Sequence, residues 1–552
     1  MGNNTTQPKR IDTLIVGAGA SGLATAIRLK TLQPESVVCV IDKAAAAGNH
    51  NLSGAAMEAN CLNDLLDGIA DWQSSPQAKE ILSRKVNKDL VYMFVGKRFK
   101  VNMSPFISLA RLFGLGQGKM QHKGDLLVSV SRISQWLCEI ATGIGVEVLY
   151  GFGVKELLFE GEKIAGVIIA AQGLDSSGKA QPNYRPPEKV YADNIVLSEG
   201  CDGLATEAFV QKANLLRQAN QLYSVGIKEV IKVSKEQYAA FGEATSLHAM
   251  GYPLWQPPFD RGIFGGGVMY SMGNEHIAVL MIASLDWQMC DFNPQDALTH
   301  FKNTEFVSRF IEGGKVVEAG AKMIPEGGYF ALPRCQKTGS IGKDNVIITG
   351  DAAGFVDMQK IKGLHNAIYS GIFAAEAIAK APCPSDAAAI YTSLIEQSSV
   401  AKELKQAANY RQTIAKFGMT IGLPLSAISK LLPRWKIEPD YKTTKQKKYR
   451  LKGNKEYDKT TFASLSGTSH REMQPCHLKI EDGKKCIDCE EKFGSPCITF
   501  CPAGVYEKIA GTLKPANFSN CLHCKTCQRK CPFDNIRWTQ PEGAGGTKYQ
   551  NM

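Results

Sequence analysis

The chain has 552 residues, 44% hydrophobic and 21% charged, with no low-complexity tract, which is enough for a large core divided among two to four domains. No run of 18 uncharged apolar residues occurs, so no spanning helix is expected, and no secretory signal is expected ahead of the first strand. The formal net charge is +11, yet the basic residues are not interleaved with aromatic stacking platforms, so nucleic acid is not expected as a partner.

Residues Ile11 to Val16 read as a buried parallel strand that runs into Gly17-Ala-Gly19-Ala-Ser-Gly22 and then into an apolar helix. Gly17 makes the tight turn, Gly19 lets the backbone approach a pyrophosphate, and Gly22 lets the helix pack on the strand. The free N–H groups and the positive end of the helix dipole then meet the phosphates. A second strand, Val37 to Ile41, ends in Asp42, placed to accept hydrogen bonds from a ribose diol. An aspartate there does not decide between NAD and FAD.

Met103 to Gly118 is apolar and weakly charged, either a buried helix or a membrane-facing segment. Ile195-Val-Leu-Ser-Glu199-Gly200-Cys-Asp202-Gly203 and Asn345-Val-Ile-Ile-Thr-Gly350-Asp351-Ala-Ala-Gly354 are both strands entering glycine turns. The latter resembles the second flavin motif of the glutathione-reductase and aromatic-hydroxylase superfamily. That resemblance implies that Asp351 holds the ribityl chain of FAD, that the helix from about Gly363 points its N-terminus at the flavin, and that Gly200 closes the site. No second GxGxxG unit is present for a nicotinamide.

Phe417 to Leu432 is apolar but broken by Pro424 and two glycines, too short to span and suited to lying in a membrane interface. Trp435 and the stretch Lys436 to Lys459, with nine basic residues against four acidic ones, suit a headgroup layer. A solvated linker is the competing reading of that stretch.

Eight of the 16 cysteines lie between Cys486 and Cys531, a crowding that points to metal rather than disulfides. Cys521-x2-Cys524-x2-Cys527-x3-Cys531-Pro532 is the bacterial ferredoxin run, in which three thiolates hold one 4Fe–4S cluster and the cysteine before proline ligates the other. By that crossing rule Cys501, Cys521, Cys524 and Cys527 form a first site, and Cys486, Cys489, Cys497 and Cys531 a second. The spacer Glu490 to Pro496 is expected to be a loop. Paired CxxC zinc sites are the alternative.

The matching segments extend well beyond these motifs. They include Gly48-Asn-His-Asn-Leu-Ser-Gly54-Ala, Gly265-Gly266-Gly267 with Tyr270, Pro325-Glu-Gly-Gly-Tyr329, Lys360-Ile-Lys-Gly363-Leu-His365, Leu465-Ser-Gly-Thr-Ser-His470 and Pro541-Glu-Gly-Ala-Gly-Gly546. On them the chain resembles the electron-transfer flavoprotein:quinone oxidoreductases along nearly its whole length. The resemblance implies an α/β FAD-binding Rossmann-like domain of the glutathione-reductase type, an inserted α+β quinone-binding domain and a C-terminal ferredoxin-like 4Fe–4S domain. The expected divisions are 1–100 and 101–210 for the FAD domain, 211–335 for the quinone domain, 336–415 for the last FAD part, 416–464 for the membrane segment and basic linker, and 465–552 for the clusters.

The same resemblance places Gly54 at the FAD and Gly265, Gly266 and Tyr270 at the quinone pocket. It implies electron transfer from reduced electron-transfer flavoprotein through 4Fe–4S and FAD to quinone. The protein would sit on one leaflet, on the cytoplasmic face of an inner membrane or on the matrix face if mitochondrial. The four extra cysteines resemble instead the small ferredoxin-like subunits of bifurcating flavoprotein complexes. A component of such a complex and a prenyl-lipid reductase are the alternative functions. No acid–base dyad or proton donor is named, and His50, His365 and Tyr270 are read as structural.

Overall fold

A computed structural model describes residues 11–52, 54, 56–256, 260–451 and 458–552. Residues 1–10, Ser53 and Ala55 of the glycine-rich loop, and Lys452 and Lys455 of the basic stretch lie outside the described residues.

The chain first builds β1 (Ile11–Val16), α1 (Ala20–Leu32) and β2 (Val38–Asp42). Leu14, Ile15 and Val16 are buried on β1, contributing about 1.5–3 kcal/mol each. Along the core of a 10-stranded sheet, Glu147–Tyr150, β2, β1, Glu188–Leu197 and Val346–Ile348 are parallel neighbours. The strands carrying the three glycine motifs are therefore adjacent, and their turns emerge at one edge. In parallel sheets this carboxyl edge is where ligands bind. Helix Leu364–Lys380 packs on α1 and buries the same layer.

A seven-stranded sheet forms the second layer, in the order Lys315–Pro325, Tyr223–Lys232, His276–Ser284, Gly265–Ser271, Thr245–Gly251, Lys88–Val95 and Phe99–Asn102. Its last two strands come from the segment assigned by sequence to the FAD domain. Lys88–Val95 pairs in parallel with Thr245–Gly251, more than 150 residues further on. The boundary expected at residue 100 thus cuts a hairpin that belongs to the second sheet. Its first strand carries the apolar run Leu90 to Val95, and such a run does not name a partner.

In the last segment Leu478–Ile480 pairs antiparallel with Ile536–Trp538, and the cysteines sit on and around the helices Gly483–Phe493, Pro496–Phe500 and Thr526–Lys530. The spacer expected to be a loop is mostly helix. Glu490 to Phe493 continue the first helix, Gly494 caps it at φ 72°, and Pro496 starts the next. A left-handed glycine followed by Pro at the first helical position makes the turn in two residues. The segment is not a satellite: Cys486, Cys497, Cys501, Cys521, Cys524 and Cys531 share one buried cluster with Trp287, Phe292 and Phe301 of the second layer.

The basic stretch is not a free linker. Lys445 N–H donates to Gln288 O and Cys290 N–H to Lys447 O, binding it along the second domain.

Candidate functional site: a flavin cavity closed by three domains

The turn after β1 is as tight as its glycines require. Gly17 has φ 109°, and a Cβ there would fall 2.3 Å from Ser198 O; one on Gly22 would fall 2.0 Å from Gly17 O. Asp42 braces the turn, accepting the N–H of Ala18 and that of Ala44 at 2.7 Å each. Both oxygens retain acceptor capacity for a ribose diol. One cavity opens above, lined by Gly17, Gly19, Asp42, Gly54, Gly200, Gly350, Asp351 and Gly363. Of the glycines and acids expected at FAD, Gly22 alone lies behind its surface.

Two helix N-termini, at Gly19 and Gly363, reach this cavity without a side-chain cap, leaving N–H groups free for an anion. Burial pushes the Asp351 carboxyl up to about 6, with Lys322 pulling the other way. Glu199 turns aside to accept from Thr206 N–H at 2.7 Å and Thr206 Oγ1 at 2.8 Å.

Sequence reasoning missed three lysines in the wall: Lys43 from the first domain, Lys322 from the second and Lys525 from between two cluster cysteines. Desolvation and mutual repulsion bring Lys43 down to about 7 and also lower Lys322. Among the described residues neither forms an ion pair. Three converging lysines with two open helix N-termini fit the pyrophosphate of FAD. The sequence signal for Lys322 was weak, because a lysine in an alternating strand reads as solvent-facing. Only its register opposite Gly226 puts it in the cavity.

Cys501, Cys521, Cys524 and Cys527 line one small cavity with Pro502, Tyr506 and Lys525. Burial raises the Cys521, Cys524 and Cys527 thiols, and the neighbouring cysteines raise them further. Cys486, Cys489, Cys497 and Cys531 gather separately: burial raises Cys489 to about 12, with Cys531 and Cys486 adding to it. Cys497 is raised in the same way by burial and then Cys531. Asn535 donates its backbone N–H to Cys531 Sγ at 3.4 Å and its amide to Cys486 Sγ at 3.3 Å. Buried thiols in fours, with N–H donors aimed at sulfur and no disulfide among them, fit thiolates held by iron–sulfur clusters. Next to the first group, Lys525 Nζ donates to Asp202 O, while Asp202 carboxylate accepts Gln528 Nε2 at 2.9 Å and the Arg529 guanidinium. Asp202 thus clamps the cluster segment to the flavin edge.

The residues expected at the quinone belong to the second sheet, beside the flavin cavity's lining rather than in it. Gly265 and Gly266 open a strand and pair there with Ala283 and Ile282, and Tyr270 is packed with Val86, Leu127 and Leu280. None of the three lines the flavin cavity. The apolar wall of the flavin cavity is formed by Leu280, Ile282, Ile324, Val356, Met358 and Ile361. His50 does line the cavity and meets Gly545 O at 3.1 Å, whereas His365 turns to Glu403.

The two apolar segments adjoin on the surface. Gln117 Nε2 donates to Leu423 O at 2.7 Å, joining the Met103–Gly118 region to the kinked helix Tyr410–Leu425. Phe106, Leu109, Leu112 and Phe113 from one segment and Ile421 and Leu431 from the other are exposed, Leu112 by 78% and Leu431 by 74%. No helix among the described residues is long and apolar enough to cross a membrane.

Comparison with known proteins agrees with this architecture. Residues 223–324 match the family model described as ETF-QO, ubiquinone-binding, and residues 453–550 match that of the electron transfer flavoprotein-ubiquinone oxidoreductase 4Fe–4S domain. The electron transfer flavoprotein-ubiquinone oxidoreductase of Pseudomonas aeruginosa is 31% identical over 98% of each chain. The mitochondrial protein of that name from Arabidopsis thaliana is 32% identical over 98% of this chain and 84% of its own. The solved structure of a geranylgeranyl bacteriochlorophyll reductase-like protein from Thermoplasma acidophilum shares the fold, with a TM-score of 0.53 at 18% identity, over 77% of this chain and 92% of that one. With relatives above 30% identity aligned from end to end, the chain belongs to the electron transfer flavoprotein-ubiquinone oxidoreductase family.

Proposed function

We propose that this protein takes electrons from reduced electron-transfer flavoprotein through two 4Fe–4S clusters and FAD and delivers them to quinone at a membrane surface. The observation that carries the reading is the single cavity walled by Lys43, Lys322 and Lys525, one residue from each domain. It brings a cluster ligand loop, a flavin cradle and an apolar wall into one site. FAD, when bound, supplies chemistry that joins one-electron donors to a two-electron acceptor.

The chain's own residues bind and exclude. Gly17, Gly19, Asp42, Gly54, Gly200, Gly350, Asp351 and Gly363 hold FAD, with Gly22 packing the helix beneath. Cys501, Cys521, Cys524 and Cys527 hold the first cluster, and Cys486, Cys489, Cys497 and Cys531 the second. Leu280, Ile282, Ile324, Met358 and Ile361 keep water from the quinone end. The exposed face around Leu112 and Leu431, with Lys100, Arg111, Lys416 and Lys430 nearby in sequence, lies on an anionic lipid leaflet without crossing it. That leaflet is the cytoplasmic face of a bacterial inner membrane, or the matrix face in a mitochondrion. The match of relatives through the cluster segment favours this reading over a prenyl-lipid reductase.

The test is anaerobic turnover in liposomes with reduced electron-transfer flavoprotein as donor and a water-soluble quinone as acceptor. Donor-dependent quinone reduction that disappears in Cys524→Ala supports the reading. No turnover, with flavin and clusters intact and reducible by dithionite, refutes it.

A further inference from the structure

Quinone reduction consumes two protons as well as two electrons, and the wall from Val356 to Leu364 is apolar apart from one side chain, Lys362. The loop carrying it is sprung inward. Asp357 and Lys362 exchange backbone hydrogen bonds at 2.9 and 3.2 Å, and Asp357 Oδ1 accepts the N–H of Gln359 at 2.8 Å. Ile361 is held at φ 57°, a left-handed conformation that β-branched residues avoid and that tends to be kept where a site needs it.

Behind Lys362 runs a chain of ion pairs. Its Nζ lies 2.5 Å from Asp125 Oδ2 and 3.5 Å from Glu58 Oε1. Glu58 meets Lys360 Nζ at 2.8 Å, and Lys360 meets Glu403 at 2.6 Å. The Lys362 side chain is 4% exposed and that of Glu58 36%, so the chain leads from the cavity wall to water. His122 closes the inner side, its Nε2 donating to Lys360 O at 3.1 Å while Asp89 Oδ2 accepts its backbone N–H at 2.8 Å. His248 stacks on it at 4.2 Å. The Lys362–Asp125 pair is nearly buried, at 4% and 11% exposure, and because such pairs rarely repay their desolvation as stabilisers, one at the wall of a redox cavity calls for a use.

We propose that Lys362, recharged by Asp125 and Glu58, is the proton inlet of the quinone site. As a quinone oxygen gains electrons, a Lys362 N–H bond breaks and an O–H bond forms. A proton from water at Glu58 then binds a carboxylate of the chain, and that carboxyl gives it up to the neutral Lys362 amine, so each group gains a proton before it loses one. Two passages with two electrons convert quinone to quinol. Burial also raises the Asp125 carboxyl against the pull of Lys362, making it a better carrier than a surface aspartate. The charged groups facing Lys362 are Asp125, Glu58 and Lys360, with His122 and His248 beyond them.

This inference rests on quinone being the acceptor. The test compares two acceptors for the FAD-loaded protein with reduced electron-transfer flavoprotein: a water-soluble quinone, which needs protons, and ferricyanide, which takes one electron and none. In Glu58→Gln and Asp125→Asn the ratio of quinone to ferricyanide rate falls about tenfold, and the solvent deuterium isotope effect on the quinone rate grows. Lys362→Met lowers the ratio further. Should a variant lose FAD, Glu58→Gln, at the half-exposed end, decides. An unchanged ratio with normal wild-type quinone turnover overturns the inlet alone. Wild-type protein that reduces ferricyanide but not quinone overturns the function and the inlet with it.

Discussion

The Asp202–Arg529 clamp should fail asymmetrically, and the structure sets the order. Asp202 has a fully buried side chain that accepts Arg529 Nε at 3.0 Å and Gln528 Nε2 at 2.9 Å. Arg529 is 31% exposed and has Glu207 at 3.8 Å as a second partner. Arg529→Ala strands a carboxylate in the interior with one amide donor, which costs about 3–5 kcal/mol. Asp202→Ala leaves a guanidinium that can turn to water and Glu207, costing about 1–3 kcal/mol. Urea unfolding of the holoprotein, followed by cluster absorbance and by flavin fluorescence, would measure both. The pH dependence has a definite sign. Burial pushes the Asp202 carboxyl up, but Arg529 and Lys525 outweigh it and hold it below the usual range. Its contribution is therefore present above the unfolded value of about 3.9 and lost as pH falls through the folded one. The deficit of Arg529→Ala should shrink on acidification below about pH 4. Equal losses in the two variants, or a larger loss in Asp202→Ala, would refute the argument from burial.

Two other outcomes follow from the remaining surfaces. Cys497→Ala should lower iron from about eight to about four per FAD, while Cys524→Ala removes the other four; iron and acid-labile sulfide analysis reads both, and four iron in the wild type would deny the second site. Leu112→Glu with Leu431→Glu should reduce flotation with anionic liposomes by about tenfold or more while leaving FAD content intact, because each places a charge on the face proposed to meet lipid. Undiminished flotation, or none in the wild type, would refute that face as a lipid contact.

What could be read from the sequence was what local chain chemistry decides. Gly22 is dictated by a contact with Gly17 in its own turn, Gly17 needs a positive φ there, and the cysteine spacing specifies its own wrapping, so these were legible before any fold was known. The hairpin Lys88–Asn102 was not, since its pairing with Thr245–Gly251 is a choice among many strands separated by long loops. Lys322 and Lys362 were hidden for a related reason. A lysine's meaning depends on which face it occupies, and that is set by register and by a strained loop at Ile361, which residue type does not announce. The spacer after Cys489 was misjudged because a helix can absorb extra residues without opening the site, given Gly494 and Pro496 to end and restart it.

The flavin cavity also imposes an order on the making of the protein. Its wall begins at Val16 and is finished by Lys525 and Gln540, so a ribosome must deliver almost the whole chain before the cofactor can be enclosed. Until then the cradle of β1 and α1 is open on the side that the last segment will cover. Because that segment supplies Lys525 and Gln540 to the wall, enclosure of the flavin waits on its docking. A chain cut short before that segment would hold its flavin cradle open to water.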